Sequence, residues 1–189
     1  QGDWSSDVCS SDLIPGQPTG NSKMCLSCHD GTIALGAVNS MSMPINMSGG
    51  VSTMPAGHAN IGTDLRDDHP ISFRYDSTLA GRDLRLRNPS TLNSSLKLDS
   101  GGELQCTTCH DAYNNIYGKF LVMQNAASQM CVSCHWMGTT NVTGHSDCSA
   151  CHQPHAAPSG PYLLRAANAT DTCLKCHDGS VAARSEEHT

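Results

Sequence analysis

The chain has 189 residues, with 11 cysteines and 10 histidines but only two Phe, four Tyr and two Trp, and its formal net charge is −6. So few aromatic residues leave little material for a protein-only hydrophobic core, and we expect another source of buried apolar surface. No apolar run is long enough to span a bilayer, and no basic block indicates binding to nucleic acid.

The sequences at both ends of the chain do not look like part of the native protein. One oligonucleotide, read on opposite strands, can encode both Asp7–Leu13 and Arg184–Thr189, and it resembles a sequencing-library adapter. We therefore interpret residues 1–13 and 184–189 as adapter-derived and residues 14–183 as the native fragment. This fragment keeps ten cysteines and nine histidines, and its formal charge is −2. We expect that its true start, with its signal peptide, was lost by truncation.

One pattern, C-x-x-C-H, occurs five times and contains all ten cysteines of this fragment. Positions i and i+3 of a helical turn share one face, with i+4 beside them, so each copy presents two thiols and one imidazole to a single macrocycle. This is the pattern that attaches haem c. In chain order, motifs 1 to 5 are Cys25-Cys28-His29, Cys106-Cys109-His110, Cys131-Cys134-His135, Cys148-Cys151-His152 and Cys173-Cys176-His177. We predict five covalent haems, with the motif histidines as proximal iron ligands.

Other uses of paired cysteines fit the counts poorly. Structural zinc needs ligands in sets, commonly two cysteine pairs for each ion, and five pairs do not divide evenly into such sets. Zinc also gives no reason for a histidine after every pair. A thioredoxin-like redox motif would occur once, within a βαβ pattern that is absent here.

The spacing of the motifs divides the fragment. We predict a first haem-binding module with a long loop insert over residues 14–105, and a four-haem doubled C-x-x-C-H domain over residues 106–183. The insert, residues 41–102, is rich in Ser, Gly, Pro and Asn and reads mostly as loop. Within it, the sequence HPISFRYD at residues 69–76 has the β-branched and aromatic character of a short strand.

Helix signals are short and lie just before the motifs. Residues 121–134 are predicted to form a helix that runs into motif 3, and Thr170 or Asp171 can cap a helix that leads into motif 5. Motifs 1 and 5 are near copies, and each has a glycine after His-Asp in a C-terminal capping position. The predicted fold has little regular secondary structure: short helices, loops and one short strand wrap a covalent multihaem core.

Four histidines of the fragment lie outside the motifs and are the candidates for sixth iron ligands: His58, His69, His145 and His155. Four imidazoles for five irons indicate mostly bis-histidine coordination. The fifth iron has three options, namely a ligand from beyond residue 183, a methionine, or an open position. The open position alone would indicate catalysis at the iron.

The segments CTTCHDAYNNIYGKFL, CSACHQPH and DHPISFRYD resemble the doubled C-x-x-C-H family of multihaem cytochromes. The resemblance implies an exported protein that is packed with haem and carries electrons in the periplasm or at the cell surface; some such proteins polymerise into extracellular filaments. In the family, the motif is often followed by x-P-H, as in Gln153-Pro154-His155. After His110 this chain has Tyr113 where that pattern would place a histidine.

These features together predict an electron carrier in periplasmic or extracellular respiration, with low-potential haems, rather than an enzyme. Its partners would be other redox proteins or cytochromes, with self-assembly as a further option. Two alternatives belong to other classes of protein. The chain could be part of a multihaem reductase with one five-coordinate catalytic haem, or a subunit of a conducting cytochrome filament.

Overall fold

The computed structural model describes residues 15–136, 145, 147–159 and 162–181, so the predictions for residues 1–13 and 184–189 lie outside the described part. The described residues form five short α-helices and two two-residue strands, joined by loops. The helices are α1 (Gly20–His29), α2 (Ser77–Arg82), α3 (Cys106–Cys109), α4 (Gln129–Cys134) and α5 (Ala169–His177), and the strands are β1 (Phe73–Arg74) and β2 (Glu103–Leu104). Single 3₁₀ turns lie at Ser48–Gly50, Pro89–Thr91, Ala126–Ser128 and Cys148–Ala150. The prediction of little regular structure is confirmed.

The two strands pair antiparallel, with Phe73 opposite Leu104 and Arg74 opposite Glu103. The strand signal at residues 69–76 therefore marks a real strand, but only two of its residues join the sheet. Pro70 has no backbone N–H to donate, and Ser72 has a φ of 58°, outside the strand region. This small sheet ties the insert to the residues directly before motif 2.

The helix ends agree in part with the sequence signals. Gly31 and Gly179 have φ values of 76° and 97° and follow the ends of α1 and α5, as expected for C-terminal capping glycines. The N-cap of α5 is Asn168, whose side chain accepts from the N–H of Asp171 at 2.8 Å, so the predicted cap was two or three residues too late.

The helix before motif 3 is shorter than predicted. It spans Gln129–Cys134 rather than residues 121–134, because Ala127 and Ser128 have φ values of 49° and 58°, which a right-handed helix does not accept. Ser128 is fully buried, and its hydroxyl bonds outside the helix. A tertiary contact therefore overrides the local helix preference at this position.

The protein-only core is small. Among the described residues, the buried apolar side chains are Tyr75, Leu79, Ala80, Leu96, Leu104, Ala157 and Ala166. Far more large apolar side chains are exposed, including Met41, Met43, Tyr113, Ile116 and Val181. This agrees with the composition, since burial of such side chains is the main driving force of folding and the polypeptide alone leaves most of them in water.

Gln105 connects the insert to α1 and α3. Its side chain is 1% exposed, and its Oε1 accepts from the hydroxyls of Ser22 at 2.6 Å and Ser72 at 3.0 Å. Its Nε2 donates to carboxylate oxygens of Asp99 and Glu103 at 3.0 and 3.1 Å. A buried amide that satisfies four neighbours at once fixes the relative positions of three segments of the chain.

We predict that Gln105→Leu destabilises the matured protein by about 1–3 kcal/mol, because the buried Ser22 and Ser72 hydroxyls lose their acceptor. Chemical denaturation followed by far-UV circular dichroism would measure the change. The matched control is Gln124→Leu, since Gln124 is exposed. Equal effects of the two substitutions would contradict the connecting role of Gln105.

Candidate functional site

All five C-x-x-C-H motifs lie in the described part of the chain, at helix ends or in a helical turn. Motifs 1, 2, 3 and 5 occupy the ends of α1, α3, α4 and α5, and motif 4 begins with the 3₁₀ turn Cys148–Ala150. The ten motif cysteines are free thiols rather than disulfides. Each motif thus contains a helical turn, the geometry in which positions i and i+3 share one face.

Backbone carbonyls orient three of the proximal imidazoles. Each of these rings has its Nδ1 within 3.0 Å of a carbonyl oxygen, and a carbonyl only accepts, so Nδ1 carries the proton and Nε2 keeps its lone pair. The pairs are His29 with Ala59, His110 with Lys119, and His152 with Tyr162, at 2.7, 3.0 and 2.8 Å. Nε2 is therefore the atom these residues can offer to an iron.

A short antiparallel bridge follows the same plan at motifs 2, 3 and 4. In each, the histidine pairs with a leucine, and the carbonyl of the second cysteine accepts from the residue after that leucine. The bridges join His110 to Leu121, His135 to Leu86 and His152 to Leu164. The sequence analysis missed these bridges. The related segments GKFL before Val122 and GPYLL before Arg165 were the available signal.

Unusual backbone conformations cluster at these bridges. Lys119, Phe120 and Leu163 have φ values of 51°, 55° and 51°, although none is glycine. Each such residue costs on the order of 1–3 kcal/mol. Lys119 is the residue whose carbonyl holds His110, and Leu163 follows Tyr162, whose carbonyl holds His152. The strained turns thus aim carbonyls at the ligand rings.

Three motif histidines each lie near a histidine from outside the motifs. The ring centres are 6.1 Å apart for His69 and His135, 6.1 Å for His110 and His155, and 5.9 Å for His145 and His177. The ring planes of these pairs meet at 79°, 38° and 6°, respectively. The structure thus brings three of the four predicted sixth ligands to a proximal histidine.

A separation near 6 Å fits one metal ion held between two imidazoles. An imidazole nitrogen binds a first-row metal at about 2 Å, so rings on opposite sides of one ion have centres about 6 Å apart. Direct hydrogen bonding between two rings would bring the centres closer. Within the described residues, no group of three or more His, Cys, Asp or Glu could hold a metal ion.

His58 is the fourth candidate ligand. Among the described residues, no ring contact pairs it with a motif histidine. It is exposed and lines an open cavity of about 420 Å³ with Gln153 and Ala156, which follow motif 4. Its neighbour Ala59 holds the ring of His29 in motif 1. His58 is therefore close to the chain segments of the two motifs, 1 and 4, for which the structure pairs no second histidine.

Two segments dock on each other and deliver two of the paired histidines. The N–H of His69 donates to the carbonyl of Pro154 at 2.8 Å, and the N–H of Ala157 donates to that of Asp67 at 3.0 Å. Residues 67–69 and 154–157 form this distal clasp. It places His69 beside His135 of motif 3 and His155 beside His110 of motif 2, so one set of backbone bonds fixes two of the predicted sixth ligands.

Burial keeps several of these rings neutral. Desolvation, with the nearby His135 as a smaller cause, lowers the pKa of His69 to about 4. Desolvation is also the largest cause that lowers the pKa of His110 and of His135. Neutral imidazole is the form that binds a metal. The pocket environment therefore favours the ligating state of these side chains at neutral pH.

Thiols of successive motifs are neighbours. The pKa of Cys25 is raised by burial and by the adjacent Cys106 thiol, to which it is hydrogen-bonded. Burial raises the pKa of Cys109 to about 12, with Cys134 and Cys131 adding to the effect. The pKa of Cys131 is raised by burial and by Cys148. These interactions link the thiols of motif 1 to those of motif 2, motif 2 to motif 3, and motif 3 to motif 4.

A serine hydroxyl joins motifs in the same way at two places. Ser22 lies three residues before Cys25 and accepts from the N–H of Cys106 at 2.9 Å. Ser128 lies three residues before Cys131 and accepts from the N–H of Cys148 at 2.8 Å. Both serines are fully buried. The equivalent bonds link motif 1 to motif 2 and motif 3 to motif 4.

Paired imidazoles beside C-x-x-C thiols are the features of a c-type cytochrome with more than one covalently bound haem. Residues 100–137 and 140–182 each match the family model described as the doubled CXXCH motif, which is consistent with a multihaem c-type cytochrome family. The resemblance predicted from the sequence is confirmed. Motifs 2 and 3 lie in the first stretch and motifs 4 and 5 in the second. The family indicates binding of haem c and electron transfer.

No curated protein matches the chain. In the part of the chain that the structure describes, no helix has the length and apolar character needed to cross a membrane.

We predict that Ser128→Ala destabilises the matured protein by about 1–3 kcal/mol, because the N–H of Cys148 and the carboxylate of Asp147 lose their shared partner. Ser22→Ala is expected to have an effect of the same size at the equivalent link. Urea denaturation curves would compare both with Ser90→Ala, whose parent side chain is exposed. Curves for Ser128→Ala and Ser90→Ala that coincide would refute the role of the link.

Proposed function

We propose that the protein is a pentahaem electron carrier in which each C-x-x-C-H motif binds one haem c. The observation that carries this proposal is the set of three histidine pairs about 6 Å apart, each containing one motif histidine. Bound haem would supply one-electron iron chemistry. The residues of this chain would attach it, provide axial ligands and exclude water from part of its surface.

The pairs support a proposed set of axial ligands for three irons. His110 and His155 would bind the iron of motif 2, His135 and His69 that of motif 3, and His177 and His145 that of motif 5. Two irons then remain, and His58 would serve one of them, since it lies near the segments of motifs 1 and 4. The sixth position of the other iron stays as the sequence left it, with an external ligand, a methionine or an open site.

Electrons would pass between neighbouring motifs in chain order. The serine bonds between motifs 1 and 2 and between motifs 3 and 4 support this path, as does the interaction of the Cys109 thiol with Cys131 and Cys134 between motifs 2 and 3. His145 lies three residues before Cys148 and pairs with His177, which connects motif 4 to motif 5. Six-coordinate irons leave no position for a substrate, so carriage of electrons is favoured over catalysis.

The proposed setting is the periplasm or the cell surface, because multihaem c-type cytochromes are generally periplasmic or extracellular. The proposed partners are other redox proteins or cytochromes. A conducting filament would use the same series of neighbouring haems. A second copy of the chain would then supply the missing axial ligand. A reductase would instead use the iron that lacks a histidine as an open site.

Haem counting and electron paramagnetic resonance of the matured, oxidised protein test this proposal. We predict five haems per chain by haemochrome assay. The iron of motif 3 should give a strongly anisotropic low-spin signal, because its ligand planes are nearly perpendicular at 79°. The iron of motif 5 should give a rhombic signal, because its ligand planes are nearly parallel at 6°. His69→Ala should convert only the anisotropic signal to high spin.

Tyr113→Ala is the matched control, since Tyr113 stands where the family pattern would place a histidine and is 100% exposed. It should leave all signals unchanged. A colourless matured protein would overturn the proposal. Loss of a signal other than the anisotropic one in His69→Ala would overturn the ligand assignment for motif 3.

We also predict low midpoint potentials, because histidine pairs lack the axial methionine that raises the potential of cytochromes c. A spectroelectrochemical titration should place the reduction of most haems at negative potential. A titration in which every haem is reduced at clearly positive potential would contradict bis-histidine ligation.

A further inference from the structure

Five predicted iron ligands have a hydrogen-bond acceptor at Nδ1, and in one of them this acceptor differs from that of the other four. Nδ1 of His29, His69, His110 and His152 faces a backbone carbonyl oxygen. Nδ1 of His155 instead lies 3.0 Å from Oδ1 of Asp68, a carboxylate.

Asp68 is placed to interact strongly with this ring. It is 5% exposed, and its Oδ1 also accepts from the N–H of Ala156 at 3.2 Å. Its Oδ2 is buried and has no hydrogen-bond partner among the described residues. The guanidinium of the nearby Arg66 is bonded to Asp64. The imidazole N–H of His155 is a side-chain donor to the Asp68 carboxylate.

We propose that Asp68 is a positioning residue that lowers the potential of the iron at motif 2 through His155. This inference rests on the proposed function, in which His110 and His155 bind that iron. The distal clasp holds Asp68 in place, since the flanking residues Asp67 and His69 are bonded to Ala157 and Pro154.

The physical basis is the charge of the acceptor. A carboxylate draws the Nδ1 proton more strongly than a carbonyl does, so the ring gains imidazolate character and donates more electron density from Nε2. A stronger donor and a nearby buried negative charge both stabilise the ferric state over the ferrous state. Both effects lower the midpoint potential of this iron relative to an otherwise similar iron held by rings with carbonyl acceptors.

The position of motif 2 in the proposed series of haems gives this lowered potential a functional consequence. Motif 2 is linked to motif 1 by the bond from the Cys106 N–H to Ser22, and to motif 3 by the electrostatic effect of Cys131 and Cys134 on the Cys109 thiol. An electron that passes along the motifs in chain order would cross the iron whose potential Asp68 lowers. Asp68 would thus raise the energy of that step relative to the same chain without the carboxylate.

The test compares Asp68→Asn, Asp68→Glu and Asp67→Asn in the matured full chain. Asparagine keeps an acceptor oxygen for the ring but removes the charge, so Asp68→Asn should raise the potential of one haem in five. We expect about a tenfold change in the ratio of reduced to oxidised iron at fixed potential, which is about 59 mV for one electron. The low-spin signal of that haem should move without conversion to high spin. Asp68→Glu should recover part of the parent value.

Asp67→Asn is the matched control, because Asp67 is the adjacent carboxylate and its pKa is raised chiefly by burial rather than by contact with a ligand. It should cause a clearly smaller shift. Equal shifts in Asp67→Asn and Asp68→Asn, or no shift in Asp68→Asn with all five haems retained, would overturn the inference alone. A chain without haem would instead overturn the proposed function.

Discussion

The pairing of a motif histidine with a second histidine is the constraint on which the rest of the molecule depends. Two imidazoles that share one metal ion have ring centres about 6 Å apart, and here the two rings come from distant parts of the chain, as with His69 and His135. Such precision needs rigid support. The chain provides it with backbone bonds rather than with long helices, through the bridges after the motifs and the distal clasp.

Local backbone preference is overridden at several points where the chain positions histidine rings or joins two motifs. Lys119 and Leu163 accept left-handed conformations so that carbonyls meet His110 and His152. Ser128 ends a predicted helix early so that its hydroxyl can bind the N–H of Cys148. Apolar side chains remain exposed around these turns. A covalently attached macrocycle offers the apolar surface that a protein core would otherwise provide.

Sequence reasoning identified what is local and missed what is tertiary. The C-x-x-C-H motif is readable because helix geometry brings i, i+3 and i+4 together, and Gly31 and Gly179 marked true helix ends for the same reason. The sequence did not predict which second histidine lies beside which motif histidine. The path of the loops brings His155 to motif 2 rather than to motif 4, beside which it lies in sequence. The role of Asp68 was equally hidden, since it depends on contact between residues 67–69 and 154–157.

Two sets of motif pairings run through the chain, and they are offset by one motif. The family copies group motif 2 with 3 and motif 4 with 5. The buried serines join motif 1 to 2 and motif 3 to 4. Each set joins motifs that the other set leaves unjoined. Every two consecutive motifs are therefore connected by one of the two sets. Continuity between neighbours, rather than closure of separate pairs, is what an electron path requires, because transfer along the row is only as good as its weakest junction.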